Sequence, residues 1–271
     1  MDHVTAIRKY IEAIANASDM HALIVVGSSG WGKSVAVAEA LNEAGIDAIQ
    51  LGSYSTSLHL YNTLADHSNY FIVLDDCSGV LSDPTSMAIL KAATWPSQDG
   101  RRIVKWGSTS SKANVSEFDF SGKLIIVCNT YPETSDAQAV SSRAYTRRID
   151  VTLSQAQDLL LRAADDSKWF ENNDLAAEVA RFLTENLNHH SLPHISFRTL
   201  KKGYRLAEVH RDSWPELLLD TIPKSKENPK KLVLELASGG LKIKDQIRIF
   251  EERCGLKRRS FYNYRREVGL A

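Results

Sequence analysis

The sequence predicts an α/β fold in which a parallel sheet carries helices on both faces, followed by a helical lid and a small all-α C-terminal module. Three observations lead to this prediction. Short apolar, β-branched runs alternate with segments whose apolar residues recur at helical spacing. Small polar or acidic residues follow these runs, at the edge where parallel sheets bind ligands. After residue 150 only helical patterns remain, so we expect three parts: 1–150, 151–220 and 221–271.

The composition is ordinary for a globular protein, with 43% hydrophobic and 24% charged residues among 271. No apolar run approaches the roughly 18 residues needed to cross a bilayer, and the N-terminus shows no signal pattern. We therefore expect no membrane partner. Three cysteines at wide spacing argue against a disulfide framework and favour a cytoplasmic location.

Charge is distributed unevenly along the chain, although the formal net charge is zero. Residues 224–271 contain 13 Lys and Arg against six Asp and Glu, so the remainder carries the compensating negative charge. A basic tail on an acidic body predicts an anionic partner for the C-terminus.

A predicted amphipathic helix opens the chain, with Val4, Ile7, Ile11 and Ile14 on one stripe, and a glycine-rich loop follows it. The loop reads VVGSSGWGKS over residues 25–34 and fits the pattern G-x-x-x-x-G-K-[ST]. The apolar run HALIVV before it is a predicted strand, and SVAVAEALNEAG after it is a predicted helix.

This strand–loop–helix context predicts a phosphate-binding site, the alternative being a flexible Gly/Ser turn. Glycines let several backbone N–H groups converge, and the helix adds its positive end. Lys33 would neutralise the β- and γ-phosphates, and Ser34 would hold Mg²⁺. We therefore expect ATP and Mg²⁺ as cofactors. The predicted nucleotide-binding residues are Gly27, Ser28, Ser29, Gly30, Trp31, Gly32, Lys33, Ser34 and Val35.

Two further predicted strands end in polar side chains. Asp75 and Asp76 follow the apolar residues 70–74; Asp75 would hold Mg²⁺, and Asp76 would orient the attacking water or accept its proton. Asn129 follows the apolar run 124–128 and would hold that water or a γ-phosphate oxygen. The alternatives are a helix-capping role for the aspartates and a turn-forming role for Asn129.

The order of these three motifs resembles that of the AAA+ ATPases, which belong to the P-loop NTPases, over roughly residues 1–210. The segment AVSSRAYTRRIDV resembles the part that follows the sensor-1 strand in clamp-loader and initiator-like members. The resemblance implies that Arg143 is an arginine finger for the nucleotide of a neighbouring subunit, with Arg147 and Arg148 as rivals. It also implies a homo-oligomer, since such a site is shared between subunits.

The segment HISFRTLKKGYRLAE resembles the lid helix of the same family, which implies that Arg198 is a sensor-2 arginine contacting the γ-phosphate. For Arg143 and Arg198 the alternative is an ordinary surface role. The sequence departs from the common pattern in having Asp76 rather than Glu and Ala144 rather than Cys. Superfamily 3 helicases share the first three motifs, but the helical part after residue 150 favours AAA+.

The remaining segments give weaker signals. DAIQL is a predicted strand, SLHLYNTLADHS and DPTSMAILKAAT are predicted helices, and Asp83 is the predicted N-cap of the latter. GRRIVKW predicts a hairpin strand whose Arg101, Arg102 and Lys105 would line a central pore, the alternative being exposed charges that only keep the strand soluble. DTIPKSKENPKK is a predicted linker, and we expect plain surface histidines at three positions, His189, His190 and His194.

Three short helices are predicted in the basic tail, the first starting at Pro229 after an Asn228 cap. The second would turn Ile243, Ile247, Phe250 and Cys254 inward, and the third Phe261, Tyr264 and Val268. Two helices joined by a tight turn, the second basic and aromatic, match a helix-turn-helix. The predicted DNA-binding residues are Arg258, Arg259, Tyr262, Asn263, Arg265 and Arg266. The alternative is a charged face that docks protein.

Together these features predict a cytoplasmic AAA+ ATPase that hydrolyses ATP between subunits and remodels, loads onto or moves along DNA, as in replication or helicase action. A second hypothesis is a nucleotide switch that assembles on DNA with ATP and uses hydrolysis only for reset. A third is a protein remodeller that binds no DNA. A partner protein is compatible with all three.

Overall fold

The computed structural model describes residues 3–52, 54–107, 112–188, 191–222, 229–254 and 256–270. The chain divides into two compact units. The first comprises Met1–Asp158 and Ser196–Arg198, and the second comprises Leu159–Ile195 and Thr199–Ala271. The three-part division drawn from the sequence stays a prediction, and residues 223–228 of the predicted linker lie outside the described residues.

A five-stranded, all-parallel sheet forms the centre of the first unit. Its strands lie in the order β2-β3-β6-β1-β7. They span β1 Ala22–Gly27, β2 Ala48–Gly52, β3 Phe71–Asp75, β6 Lys123–Cys128 and β7 Ala144–Ile149. A separate antiparallel hairpin joins β4 (Ile103–Lys105) to β5 (Glu117–Asp119). The strands predicted from the apolar runs are therefore confirmed, together with the hairpin strand.

Helices cover both faces of this sheet, as predicted, because the buried strands are apolar on both sides. Leu23 and Val25 of β1 face one core cluster, and Ile24 and Val26 face the other. The helices of the first core are α1 His3–Asn16 and α2 Lys33–Glu43. Those of the second are α3 Ser57–Asp66, α4 Ser78–Ser82, α5 Pro84–Thr94 and α6 Ser135–Ser141.

Helix starts follow the predicted capping chemistry. The Asp83 carboxylate accepts a 2.7 Å hydrogen bond from the Ser86 N–H, and Pro84 occupies the first position of α5. In α1, Ile7, Ile11 and Ile14 are fully buried, which confirms the predicted apolar stripe. The Asp83 cap and Pro84 therefore fix where α5 begins.

The hairpin corrects one sequence prediction, the placing of Arg102 in a pore. Its guanidinium is buried and donates hydrogen bonds to the carbonyl oxygens of Ala93 (2.8 Å) and Gly122 (2.7 Å). Burial lowers the pKa of Arg102 to about 10, partly opposed by Asp119. Arg102 therefore anchors the base of the hairpin and is not accessible to a polymer.

The second unit is helical. It contains α8 Asn173–Glu185, a short 3₁₀ turn at Leu192–His194 and α10 Trp214–Thr221, whereas α7 (Leu153–Ala164) and α9 (Phe197–Val209) begin in the first unit. Aromatic pairs hold its core together, with Phe170 against Tyr204 and Phe182 against Trp214. Within the described ranges, no helix is long and apolar enough to cross a bilayer.

Three helices close the chain: α11 Pro229–Ser238, α12 Ile243–Cys254 and α13 Arg258–Glu267. Phe250, Cys254 and Phe261 are fully buried among them, and the two rings meet edge to face at 5.3 Å. The expectation that Ile243 faces inward is wrong, because 40% of it is exposed. It opens α12, one turn before Ile247, which does pack against the core cluster. Asn228, the predicted cap, lies outside the described residues.

Candidate functional site

The glycine loop turns from β1 directly into α2, and its backbone needs glycine at two positions. Gly30 and Gly32 have φ values of 84° and 78°, in the left-handed region where a side chain is strained. Gly32 forms the N-cap of α2 without a side-chain hydrogen bond. The loop therefore presents backbone N–H groups and the start of a helix at one point, which is how proteins bind phosphate.

Gly27, the first glycine of the motif, meets a different requirement. A Cβ atom built there would lie 2.3 Å from the carbonyl oxygen of Ile149, on the neighbouring strand β7. No real Cβ atom approaches an oxygen so closely. Glycine at this position therefore allows β1 and β7 to pair at the edge of the site.

Lys33 is buried and anchored by three hydrogen bonds. Its Nζ donates to the carbonyl oxygens of Gly27 and Ser28, both at 2.8 Å, and to Asn129 Oδ1 at 3.0 Å. Burial lowers the pKa of Lys33, and the nearby Cys128 and Asp75 partly oppose this shift. The lysine of the loop thus meets the asparagine that follows β6, although 96 residues separate them in sequence.

Ser34 and Asp75 provide oxygen ligands of the kind that magnesium prefers. Ser34 Oγ donates a 2.9 Å hydrogen bond to Asp75 Oδ1. Protein sites for Mg²⁺ typically supply one or two such oxygens and leave the remaining positions to water and substrate phosphates. The hydroxyl and carboxylate fit this ion, and both lie beside the glycine loop.

Asp76 is exposed and adopts a left-handed backbone, with φ of 55°. Among the described residues other than glycine, it alone has a positive φ. Its N–H donates to the carbonyl oxygen of Val127 at 3.0 Å, which holds it against the end of β6. A strained conformation of this kind is typical of functional positions.

The segment Ser196–Arg198 belongs to the same unit as the loop and contacts it at three points. Arg198 Nη1 donates to Ser29 Oγ at 3.0 Å, and the Phe197 N–H donates to the Gly30 carbonyl at 3.2 Å. The Phe197 ring meets Trp31 edge to face, with centroids 5.3 Å apart, and Trp31 is 2% exposed. The predicted sensor-2 arginine, at the start of α9, therefore contacts the glycine loop.

Arg143, the predicted arginine finger, follows α6 and stacks on Trp95. Its Cζ lies 3.8 Å from the centroid of the indole. Its rivals lie on β7, where Arg147 and Arg148 pair with Val25 and Val26 of β1. Arg147 is half-buried and Arg148 is exposed. Arg143 is thus separate from the contacts around Lys33, as a residue acting on another subunit would be.

The predicted DNA-binding residues lie on or beside α13, and they differ in exposure. Arg258, Arg259, Tyr262, Asn263 and Arg266 are exposed, whereas Arg265 is half-buried and donates to Gln246 Oε1 of α12 at 3.3 Å. Asn263 Oδ1 accepts a hydrogen bond from Arg266, so part of its capacity is in use. Of the predicted histidines, His194 is exposed, and His189 and His190 lie outside the described residues.

Sequence reasoning gave no functional role to two aromatic residues, Phe197 at the glycine loop and Trp95 beside Arg143. Both come from segments that read as helix ends, and neither carries a motif of its own. The signal for Phe197 was its position next to Arg198, and the sequence gives no sign that it would meet Trp31. Trp95 had no signal, since its partner Arg143 lies 48 residues away.

The sheet order, the glycine loop and the oxygen ligands at the end of β3 together define the fold of a P-loop NTPase. No family model and no curated protein matches the chain. Solved structures do match it, among them three at 12% sequence identity. A point mutant of RuvB from Thermotoga maritima gives a TM-score of 0.53, covering 99% of this chain and 89% of its own.

Two further structures agree. A second mutant of the same RuvB gives a TM-score of 0.50, covering 98% of this chain and 87% of its own. NtrX from Brucella abortus in complex with ATP gives 0.52, covering 100% of this chain and 69% of its own. RuvB and NtrX are AAA+ P-loop ATPases. The chain therefore has the AAA+ fold, as its motif order predicts.

Proposed function

We propose that this protein is an AAA+ ATPase that binds ATP with Mg²⁺, hydrolyses it between the subunits of a homo-oligomer and acts on DNA. The observation that carries the proposal is the pair of contacts Lys33–Asn129 and Ser34–Asp75. These contacts join the glycine loop to the ends of β3 and β6. They bring together, at one edge of a parallel sheet, an ammonium group, an amide, and a hydroxyl and a carboxylate that suit Mg²⁺.

Each residue has a role that its geometry supports. The loop N–H groups and Lys33 would bind the phosphates, and Ser34 and Asp75 would hold Mg²⁺. When bound, Mg²⁺ neutralises phosphate charge. Asp76, exposed at the end of β3, would accept a proton from water positioned with the help of Asn129. Arg198 is within reach of the phosphate site because it already contacts Ser29 of the loop.

Arg143 would complete the site of a neighbouring subunit. It lies outside the contacts made by Lys33 and Ser34, so it has no evident role in its own subunit's site. A guanidinium supplied from a neighbour stabilises the charge that develops on the transferred phosphoryl group. The proposal therefore requires assembly for turnover.

DNA is the proposed polymer because of the basic C-terminal helices. The surface of α13 exposes Arg258, Arg259 and Arg266, and residues 224–271 carry a large excess of positive charge. Arginines on one helix suit phosphate contacts and base-edge contacts in the major groove. RuvB, to which the fold is similar, is a Holliday junction branch migration motor. Remodelling, loading and translocation are the proposed outcomes of ATP turnover.

Asp76 favours a second candidate, a nucleotide switch that assembles on DNA with ATP and hydrolyses it slowly. Its side chain is one methylene shorter than that of Glu, so it reaches less far toward a lytic water. ATP turnover with and without duplex DNA separates the two candidates. A motor gives clear stimulation by DNA, whereas a switch turns over slowly and assembles with ATP alone.

The shared site is tested by mixing two inactive variants, Lys33→Ala and Arg143→Ala. If Arg143 acts across subunits, equal mixing restores about a quarter of wild-type turnover, because about one interface in four then combines an intact loop with an intact finger. Arg181→Ala, an exposed arginine of α8, is the control and should keep full activity. Full turnover by Arg143→Ala alone would refute the shared site.

A further inference from the structure

We infer that Trp95 is a positioning residue that holds the Arg143 guanidinium ready for a phosphate of a second copy of this chain. The inference rests on the proposed function, since it assigns a partner to the proposed finger. Nothing in the sequence motifs marks Trp95. The evidence is the geometry at the ends of two adjacent helices.

The packing of α5 against α6 brings the two side chains together. Leu90 and Ala93 of α5 are fully buried in the same core cluster as Ala137 and Val140 of α6. A surface ion pair, Lys91 Nζ to Asp136 Oδ1 at 3.0 Å, also joins these helices. The C-terminal ends of the two helices lie next to each other. Trp95 is the C-cap of α5, and Arg143 comes directly after the C-cap of α6.

The stack is closer than the other arginine–aromatic contacts of the described residues. The Arg143 Cζ lies 3.8 Å from the Trp95 centroid, whereas Arg102, Arg205, Arg258 and Arg265 lie 5.2 to 5.8 Å from their rings. Trp is also the strongest aromatic partner for a cation. The Arg143 side chain is therefore held by a ring face and not by an anion.

A carboxylate occupies the N–H donors of an arginine, whereas an aromatic ring face does not. A carboxylate takes the in-plane N–H donors, as Asp119 takes those of Arg101 and Glu178 those of Arg211. A stacked indole contacts the guanidinium face and leaves its in-plane donors unused. Within the described part of the chain, Arg143 Nε and Nη1 are buried and have no hydrogen-bond partner.

Two buried unbonded donors make this pose costly by itself, because each forfeits its hydrogen bonds to water. An anion that reaches the guanidinium would remove that cost without first breaking an ion pair. Trp95 is itself 57% exposed, so the stack lies at the surface, where another subunit can approach it. The pair thus keeps the arginine in place and leaves it without an ion pair that an incoming phosphate would first have to break.

The test measures ATP turnover by the full-length chain under conditions where it assembles. Trp95→Ala should lower kcat about tenfold, because it removes the cation–π contact that positions Arg143 at the shared site. KM for ATP should stay unchanged, because this contact takes no part in binding ATP at the glycine loop. Trp95→Phe keeps an aromatic face and should retain kcat within about threefold of wild type. Lys91→Ala, which breaks the neighbouring ion pair on the same helices, should leave kcat unchanged.

A second variant separates positioning from simple support of the fold. Arg143→Lys should stack poorly on the indole, so adding Trp95→Ala to it should cost little more, whereas independent effects would multiply. The emission of Trp95 is obtained as the difference between the spectra of wild type and Trp95→Phe. This emission should also change in Arg143→Lys.

The failures are distinguishable. Wild-type kcat in Trp95→Ala, with Arg143→Ala inactive, overturns this inference and leaves the proposed function standing. Multiplying effects in the double variant overturn it too, because Trp95 then supports the fold. Full turnover by Arg143→Ala overturns the shared site and this inference with it. Should Trp95→Ala fail to fold, Trp95→Phe and Trp95→Leu decide: equal kcat in both refutes a need for the ring.

Discussion

Asp76 combines two unusual properties at the scale of a single residue, a strained backbone and an exposed carboxylate at the end of a buried strand. A left-handed φ costs free energy for any residue other than glycine, though Asp and Asn tolerate it better than most. The hydrogen bond from its N–H to Val127 holds the conformation in place. The sheet therefore maintains the strained conformation of Asp76.

Asp76→Asn isolates the charge, because asparagine has the same shape and tolerates the same backbone. We expect turnover to fall about 100-fold or more, as for loss of a general base, with ATP affinity close to wild type. Steady-state turnover and binding of a fluorescent ATP analogue measure the two quantities. Asp158→Asn, an exposed aspartate of α7, is the control. Unchanged turnover would mean that Asp76 does not take the proton.

His21 predicts a pH dependence of stability. Burial, with Arg102 and Lys123 nearby, lowers its pKa to about 4 from an ordinary value of 6.5. The unfolded chain therefore binds a proton at a pH where the folded chain does not, and stability falls as the pH drops from about 6.5 towards 4. We expect His21 to account for a loss of about 2 kcal/mol between pH 7 and pH 5.

Urea denaturation at both pH values measures this loss, and His21→Gln is the comparison because glutamine does not titrate. The difference between wild type and His21→Gln removes the contribution of other groups. If both proteins lose stability equally on acidification, His21 is not the cause.

At the scale of elements, the sequence predicted most strands and helices because their patterns are strong. β1, β3 and β6 are continuous apolar runs, and burial on both faces of the sheet produces that pattern. The residues at their ends were predictable too, because parallel strands share one carboxyl edge. The contacts of Lys33 with Asn129 and of Ser34 with Asp75 follow from this rule.

The elements that the sequence did not predict have weak patterns. β7 reads AYTRRI and only Ile149 is buried, since it is the edge strand and needs no second apolar face. β5 has three residues, and its partner β4 fixes it. Arg102 looked like a surface residue because its burial depends on two carbonyl oxygens from distant segments. Such tertiary contacts leave no local trace.

The start of α9 connects to the loop through an aromatic pair, which predicts an effect of Phe197→Leu. The ring contact with Trp31 should be lost while most of the volume is kept, so the docking of Arg198 on Ser29 should weaken. We expect lower kcat and a red shift of Trp31 emission. Adding Phe197→Leu to Arg198→Ala should cost little more, because both changes act on one contact.

Phe182→Leu is the matched control, since Phe182 meets Trp214 in a similar edge-to-face pair in the second unit. It should shift tryptophan emission without changing kcat. Full multiplication of the Phe197 and Arg198 effects would show that Phe197 does not act through Arg198.

For the whole molecule, the separation of charge is the feature with a measurable consequence. A neutral chain has no net attraction to nucleic acid, yet residues 224–271 are strongly basic. Binding through these residues should depend steeply on salt, because phosphate contacts release condensed counterions. The neutral total would then conceal a strong local electrostatic interaction.

Arg259→Ala tests this at one position. We expect weaker duplex binding on all sequences, and a slope of log affinity against log salt that is smaller by about one, as for loss of one phosphate contact. Fluorescence anisotropy with labelled duplexes over a salt series measures both. Arg248→Ala, an exposed arginine of α12 paired with Glu252, is the control. Unaltered binding and slope would place the DNA surface elsewhere.

The close approach of Gly27 to Ile149 bears on how mutagenesis of the glycine loop should be interpreted. A methyl group at Gly27 would first push β7 away from β1, and β7 directly follows Arg143 and carries Arg147 and Arg148. Inactivity of a Gly27 variant would then reflect spacing between strands and a displaced arginine segment rather than a lost phosphate contact. Lys33 and Ser34, whose side chains act directly in the site, separate these effects where the first glycine cannot.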